Sequence, residues 1–156
     1  MLAKELMTTP ARTCRVTAAL SEAAKTMMDE SCGCLPIVDA RGQVVGILTD
    51  RDICLAVATR HDQRPSDIPV REMMTSKVFT CSPEESIDEA LVKMKEHRVR
   101  RLPVVDTRGR LKGVLSADDL VRNTGLARGR LDADTVIDVL RHVCTPKVGP
   151  GELITA

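Results

Sequence analysis

A chain that repeats itself must fold as repeats, and this one does so at a single fixed spacing. Shifting the sequence by 67 residues lays Met7–Cys54 on Met74–Val121, 48 positions without a gap, of which 16 are identical. Chance gives roughly three identities in such a window, so the chain carries a duplicated unit. Met7/Met74, Thr8/Thr75, Glu22/Glu89, Pro36/Pro103, Asp39/Asp106, Gly46/Gly113 and Asp52/Asp119 are among the identical pairs. Just upstream, Lys4-Glu5-Leu6 matches Arg71-Glu72-Met73. Each unit is too small to build a generous core alone, so the two are expected to pack on each other.

The second copy is the easier one to read. Val78-Phe79-Thr80 is a short β-prone run, and Ser82-Pro83-Glu84 is turn chemistry. Ser86 with Glu89 three residues later is a capping-box signature, and Ile87, Ala90, Leu91 and Met94 continue it as an amphipathic helix to about His97. Leu102–Val105 reads as a short buried strand, with Pro103 placing it at a strand start or edge. Asp106–Gly109 reads as a turn, Leu111–Leu115 as the hairpin partner, and Ser116–Asn123 as a second helix. The first copy repeats the order with a helix near Ala19–Glu30, strands Leu35–Asp39 and Val44–Leu48, and a helix over Thr49–Thr59. The units span 7–66 and 74–130, leaving a C-terminal segment of 131–156. There, Asp132 or Asp134 can cap a helix with Val136, Ile137, Leu140 and Val143 on one face. Pro146, Gly149, Pro150 and Gly151 then read as a loose tail.

Composition removes several function classes. Lys plus Arg is 23 against 22 for Asp plus Glu, too balanced for broad electrostatic capture of nucleic acid or anionic membrane. Phe79 is the one aromatic residue, so no base-stacking platform can be built. No apolar run reaches the roughly 18–20 residues that span a bilayer, and Met1–Glu5 has no signal-peptide layout. The expectation is a soluble cytoplasmic chain that contacts neither membrane nor nucleic acid. Six cysteines without a secretion signal read as reduced thiols, with Cys14, Cys54 and Cys81 at places suited to small apolar side chains. No nucleophile triad, P-loop or H-E-x-x-H is present, so no enzyme is expected. The pairs Gly42/Gly46 and Gly109/Gly113 read as turn and close-packing glycines.

With these residues in view, the chain resembles a tandem pair of CBS domains, the arrangement also called a Bateman module. The marks are MTT and MTS opening the copies, LPIVD and LPVVD on the central strands, and GILTDRD and GVLSADD leading into the last helices. The resemblance covers residues 1–123. It implies an α/β fold of two β-α-β-β-α repeats packed face to face about a pseudo-twofold axis. It also implies two clefts that in many members take adenosine-containing ligands, and assembly as a homodimer.

The resemblance places Thr49 and Asp52 of the first copy, and Ser116 and Asp119 of the second, at the clefts, with Pro36 and Pro103 beside them. A carboxylate can accept from two vicinal ribose hydroxyls, and a hydroxyl at a helix start lies near N–H groups that favour phosphate. The same Thr-x-x-Asp and Ser-x-x-Asp spacings also make ordinary helix caps. Between Lys95 and Lys112 the local charge is strongly positive, and the resemblance puts Arg100 and Arg101 on the cleft where the first copy has Gly33 and Cys34. Guanidinium forks suit phosphates, so the second cleft is expected to prefer more highly phosphorylated ligands.

The resulting expectation is a stand-alone regulatory module with no required cofactor. It would bind AMP, ADP, ATP, S-adenosylmethionine or an NAD-type dinucleotide and signal by conformational shift to a separate client protein. The alternatives are a ligand-free dimerisation scaffold, or a thiol or metal sensor using Cys32 and Cys34. Met27, Met28, Leu55, Met94, Leu120 and Val121, with the C-terminal stripe, are the candidate homodimer face.

Overall fold

The duplicated sequence folds into two copies of one unit that exchange their leading segments. The computed structural model describes residues 1–124 and 131–145. The first repeat contains β1 (Cys14–Arg15), α1 (Leu20–Asp29), β2 (Cys34–Val38), β3 (Val44–Thr49) and α2 (Asp50–Thr59). The second contains α3 (Ile87–His97), β4 (Arg101–Val105), β5 (Leu111–Ser116) and α4 (Ala117–Arg122), followed by α5 (Ala133–Cys144). β1 pairs parallel with β2, and the β2/β3 and β4/β5 hairpins are antiparallel. The β-α-β-β-α expectation holds, except that Val78–Thr80 forms no strand. The opening strand of the second repeat shrinks to a single parallel bridge between Cys81 and Val104.

Repeated identities explain the local structure. Asp39 Oδ1 accepts from the Arg41 and Gln43 N–H groups, and Asp106 Oδ1 accepts from those of Arg108 and Arg110. Gly42 and Gly109 close these turns at φ of 76° and 75°, a conformation glycine adopts without strain. Pro36 and Pro103 sit in the middle of their strands, not at an end. The Cys81 N–H donates to the Pro103 carbonyl, so the proline nitrogen faces the same side, where pairing stops after one residue.

The exchange is visible in backbone hydrogen bonds that repeat at the 67-residue offset. Ala3 N–H donates to Glu85 O and Ile87 N–H to Met1 O, while Val70 N–H donates to Ala18 O and Leu20 N–H to Ile68 O. Thr8 pairs with Val114, and Thr75 with Ile47, both antiparallel. Each repeat's core is therefore completed by the segment that precedes the other. Ile68 and Val70 are buried among Leu20, Ala23, Leu35, Ile37 and Leu48, and Ala3 and Leu6 among Ile87, Met94, Leu102 and Leu115. The two hairpin turns meet as well, with Val44 N–H donating to Gly109 O and Leu111 N–H to Gly42 O. These contacts lie on the pseudo-twofold axis.

α5 breaks the symmetry. Asp132 caps it, its Oδ2 accepting from the Thr135 N–H at 2.9 Å. The helix folds back on its own second repeat, burying Val136, Val139 and Val143, with Leu140 half-buried. Val139 replaces Ile137 in the expected stripe, and Ile137 faces outward. The expected tail from Pro146 lies outside the described residues, as does the junction at 125–130. The candidate dimer face is also corrected. Met27, Met94 and Leu120 are core residues, because helical spacing from Leu20 and Ala23, from Ile87 and Ala90, or from Ala117 turns them inward. Met28, Leu55 and Val121 are exposed, together with Val57 and Val92.

The exchange also explains the repeated strand glycines. A Cβ at Gly113 would lie 2.6 Å from Met7 Sδ and 2.9 Å from the Thr8 carbonyl oxygen. At Gly46 the nearest atoms it would meet all belong to the side chain of Met74. A methionine can move aside, whereas the Thr8 backbone cannot without leaving Val114. Gly113→Ala is therefore expected to cost about 1–3 kcal/mol, the range for overpacking, and Gly46→Ala less. Urea unfolding midpoints of the two variants check the order, and a larger loss at Gly46 would reverse the argument.

Candidate functional site

Both Ser/Thr-x-x-Asp motifs form complete helix caps. The Thr49 N–H and hydroxyl each donate to Asp52 Oδ2 at 2.8 Å, and the Asp52 N–H donates back to Thr49 Oγ1 at 3.2 Å. In the second repeat, Ser116 N–H (2.8 Å) and hydroxyl (2.6 Å) donate to Asp119 Oδ2, and the Asp119 N–H returns to Ser116 Oγ at 3.2 Å. The copies differ at the other carboxylate oxygen. Asp119 Oδ1 accepts from Thr8 Oγ1 at 3.0 Å and from Arg122 Nη2 at 2.9 Å. Among the described residues, Asp52 Oδ1 accepts no hydrogen bond. A carboxylate offers about four lone-pair positions. On Asp119, which is only 5% exposed, all are taken.

A cleft of about 560 Å³ opens between the repeats beside Asp119. Thr8, Pro10 and Arg12 of the first leading segment form one wall, and Cys32, Gly33, Cys34 and Pro36 enter from the first repeat. The second repeat supplies Arg101, Val114, Ser116, Asp118, Asp119 and Arg122. Pro36 and Val114 give the cleft an apolar side, while its rim is charged. Arg12 is paired with Glu30 at 2.9 Å and Arg122 with Asp119. The half-buried Arg101 guanidinium has no hydrogen-bond or ion-pair partner among the described residues.

Of the residues singled out from sequence, Pro36, Arg101, Ser116 and Asp119 converge on this cleft. Thr49, Asp52 and Pro103 occupy the corresponding places across the pseudo-twofold axis. Arg100 goes elsewhere: it is exposed, and its Nε lies 3.5 Å from the Val143 carbonyl on α5. Thr8, Arg12 and Arg122 were not visible from the motif. Thr8 belongs to the repeated Met-Thr, and Arg122 stands three residues after Asp119 on the same helix, the spacing at which side chains meet. Leu55 holds the corresponding position in the first repeat.

Across the axis the chemistry changes. The positions of Arg12 and Glu30 are taken by Phe79 and His97, whose rings stack with centroids 3.6 Å apart and planes 8° from parallel. Lys77 Nζ lies 5.5 Å from the Phe79 centroid. Part of the basic stretch is paired, Lys95 with Asp138 and both Arg110 and Lys112 with Asp106. These charge-assisted contacts hold the Asp138 and Asp106 carboxyls below the ordinary range, through Lys95 at the first and chiefly the Arg110 N–H at the second.

All six cysteines are free thiols. Cys14 and Cys81 are buried as expected, but Cys54 is exposed because it falls on the outer face of α2. Burial pushes the Cys34 and Cys81 thiols up to about 11, and Arg101 only partly offsets this at Cys34. Among the described residues, no group of three or more His, Cys, Asp or Glu side chains is placed to hold a metal ion. No helix among them is long and apolar enough to cross a membrane.

Comparison with known proteins matches this geometry. The family model of the CBS domain fits twice, over residues 3–59 and 70–124. The CBS domain-containing protein YhcV of Bacillus subtilis is 36% identical over 120 residues, 77% of this chain and 83% of that protein. Other relatives are much longer, and the chain spans only about a quarter of them (24% and 23% of two). Among solved structures, the CBS domain pair of protein MJ0100 in complex with 5'-methylthioadenosine and S-adenosyl-L-methionine is 32% identical. It superposes with a TM-score of 0.70, covering 78% of this chain and 94% of that one. The CBS domain protein PAE2072 from Pyrobaculum aerophilum complexed with AMP is 25% identical with a TM-score of 0.71, covering 90% of this chain and 99% of that one.

The thiols provide a direct check on the cleft. With iodoacetamide at pH 8, exposed Cys54 and Cys144 are expected to be alkylated first, and Cys14, Cys34 and Cys81 last. A thiol raised to about 11 gains roughly tenfold in thiolate per pH unit below that value, so Cys34 should speed up steadily to pH 10. Peptide mapping that found Cys34 among the fastest at pH 8 would contradict its half-buried placement.

Proposed function

Because this chain belongs to the CBS domain family, we propose that it is a regulatory module that binds an adenosine-containing ligand in the cleft beside Asp119. The observation that carries this reading is the cleft itself. Apolar Pro36 and Val114, the repeated Ser116/Asp119 motif and Arg101, which has no ion-pair partner among the described residues, line one space of about 560 Å³ between the repeats. Two similar solved structures hold such ligands, one methylthioadenosine and S-adenosylmethionine, the other AMP.

In this reading the adenine lies against the apolar side, the ribose hydroxyls are received by Asp119, and an anionic group meets Arg101. The ligand touches both repeats, so it favours the relative arrangement that holds it best, and a separate client reads that arrangement. The module acts in the cytoplasm and catalyses no reaction of its own. A homodimer through the exposed apolar residues of α1 and α2, Met28, Leu55 and Val57, completes the assembly. The saturated Asp119 carboxylate favours one rival, a scaffold that takes no ligand in this cleft.

Titration calorimetry with AMP, ADP, ATP, S-adenosylmethionine and NAD decides between them. At least one is expected to bind, and Asp119→Ala should weaken it by about 1.5–3 kcal/mol, the scale for hydrogen bonds to a charged group. Circular dichroism confirms that the variant is folded. Unchanged affinity in folded Asp119→Ala and Asp52→Ala would remove the ribose assignment, and silence across the panel would leave the scaffold.

Light scattering tests the dimer separately. A mass of twice 17.0 kDa is expected. Met28→Glu with Leu55→Glu should shift it toward monomer, and a monomeric parent chain would refute the assembly.

A further inference from the structure

The Asp119 carboxylate is saturated, yet one of its four donors is built to leave. Ser116 is fixed by the backbone of the cap, and Thr8 by its antiparallel pairing with Val114. Arg122 is held by neither. Its side chain is 68% exposed, and it reaches Asp119 Oδ1 through a single nitrogen at 2.9 Å. Only the Arg122 end of this pair is open to water, so the guanidinium can swing away while the buried Asp119 stays held by Ser116 and Thr8. The guanidinium lines the same cleft as Arg101, so both cations face the space a ligand would fill. At the corresponding place in the first repeat stands Leu55, and there the carboxylate oxygen facing Asp52's surroundings is not occupied by a guanidinium.

We propose that Arg122 determines ligand selectivity in this cleft by exchanging partners. The proposal rests on the reading of the cleft as an adenosine-ligand site. With the cleft empty, Arg122 occupies an acceptor position on Asp119 Oδ1. When a ribose hydroxyl takes that position, the guanidinium loses its Asp119 partner on a rim it shares with Arg101 and Asp118. A ligand that brings a phosphate supplies another, and the planar fork can receive it bidentately. A bare nucleoside displaces Arg122 and returns nothing. The cleft therefore discriminates against uncharged adenosine twice, by blocking the ribose site and by costing Arg122 its Asp119 partner once it is filled. No proton moves and no bond is made in the exchange.

The test is calorimetry of the full chain and of Arg122→Leu with AMP and with adenosine, each at low and at moderate salt. The parent chain is expected to prefer AMP. In Arg122→Leu, AMP should weaken by about 10–100-fold, the loss of a charge-assisted contact, while adenosine holds its affinity or gains. The salt dependence of AMP binding should fall as well. Equal weakening of both ligands would assign Arg122 a merely structural part, and an unchanged AMP-to-adenosine ratio would overturn the exchange outright. If the parent chain binds neither ligand, the reading of the cleft fails first and takes the proposal with it. Arg122→Lys, which keeps the charge without the fork, should recover only part of the preference.

Discussion

The rest of this structure depends on the exchange of leading segments between the repeats. A unit of this size has too little interior to bury its own helix and hairpin faces well. Here the missing apolar groups arrive from the other unit's approach chain, Ile68 and Val70 for the first core and Ala3 and Leu6 for the second. Fully burying an aliphatic side chain is worth about 1.5–3 kcal/mol, so losing the exchanged groups would remove a substantial part of either core's stability. Strand pairing, glycine placement and the cleft all follow. Thr8 can reach Asp119 across 111 residues of sequence only because the segment carrying it lies along β5 of the opposite repeat.

Exchange makes the two repeats equivalent in backbone, and the side chains then make them different. One cap carboxylate is saturated, while the other has an oxygen that accepts no hydrogen bond among the described residues. An Arg12–Glu30 ion pair stands where the other half stacks Phe79 on His97. Cys34 and Arg101 occupy matching strand starts, opposite Thr49 and Ser116 in register. α5 adds to the inequality by covering one helical face and leaving Met28, Leu55 and Val57 bare on the other. Duplication thus supplies the geometry twice, and substitution at a few positions gives each copy its own chemistry.

How much of this was legible in the sequence depends on the range of each interaction. Helix caps are local, so Ser86 with Glu89, Thr49 with Asp52 and Ser116 with Asp119 could be read directly, and Asp132 as one of two choices beside Asp134. The repeat made the element order readable in the same way. The exchange was not readable, because matching Lys4–Leu6 to Arg71–Met73 shows similarity and not which core each fills. Helix phase gave the right face for α5 but not its centre line, since Val136, Leu140 and Val143 accept either Ile137 or Val139 as neighbour. Arg100 and Arg101 are adjacent in sequence, yet strand alternation sends their side chains to opposite faces, one to the cleft and one toward α5. The strand expected at Val78–Thr80 failed for a tertiary reason, because pairing on β4 begins only at Cys81.

The same exchange bears on how occupancy of the cleft could be communicated. A ligand shifts an equilibrium only by its differential affinity for the two states. The cleft walls belong to four pieces of chain: the first leading segment, the entry to β2, the start of β4 at Arg101, and the β5–α4 corner. A rigid movement of one repeat against the other changes the spacing of Pro36 and Val114, which come from different repeats. The Thr8–Asp119 bond spans from the leading segment to α4, so it resists any motion that lifts that segment from β5. Arg122 resists nothing, being anchored only at its own helix. Of the contacts around Asp119, then, Thr8 is suited to carry strain into the fold and Arg122 to absorb a change of ligand without disturbing it. That division keeps selectivity and conformational coupling on separate residues.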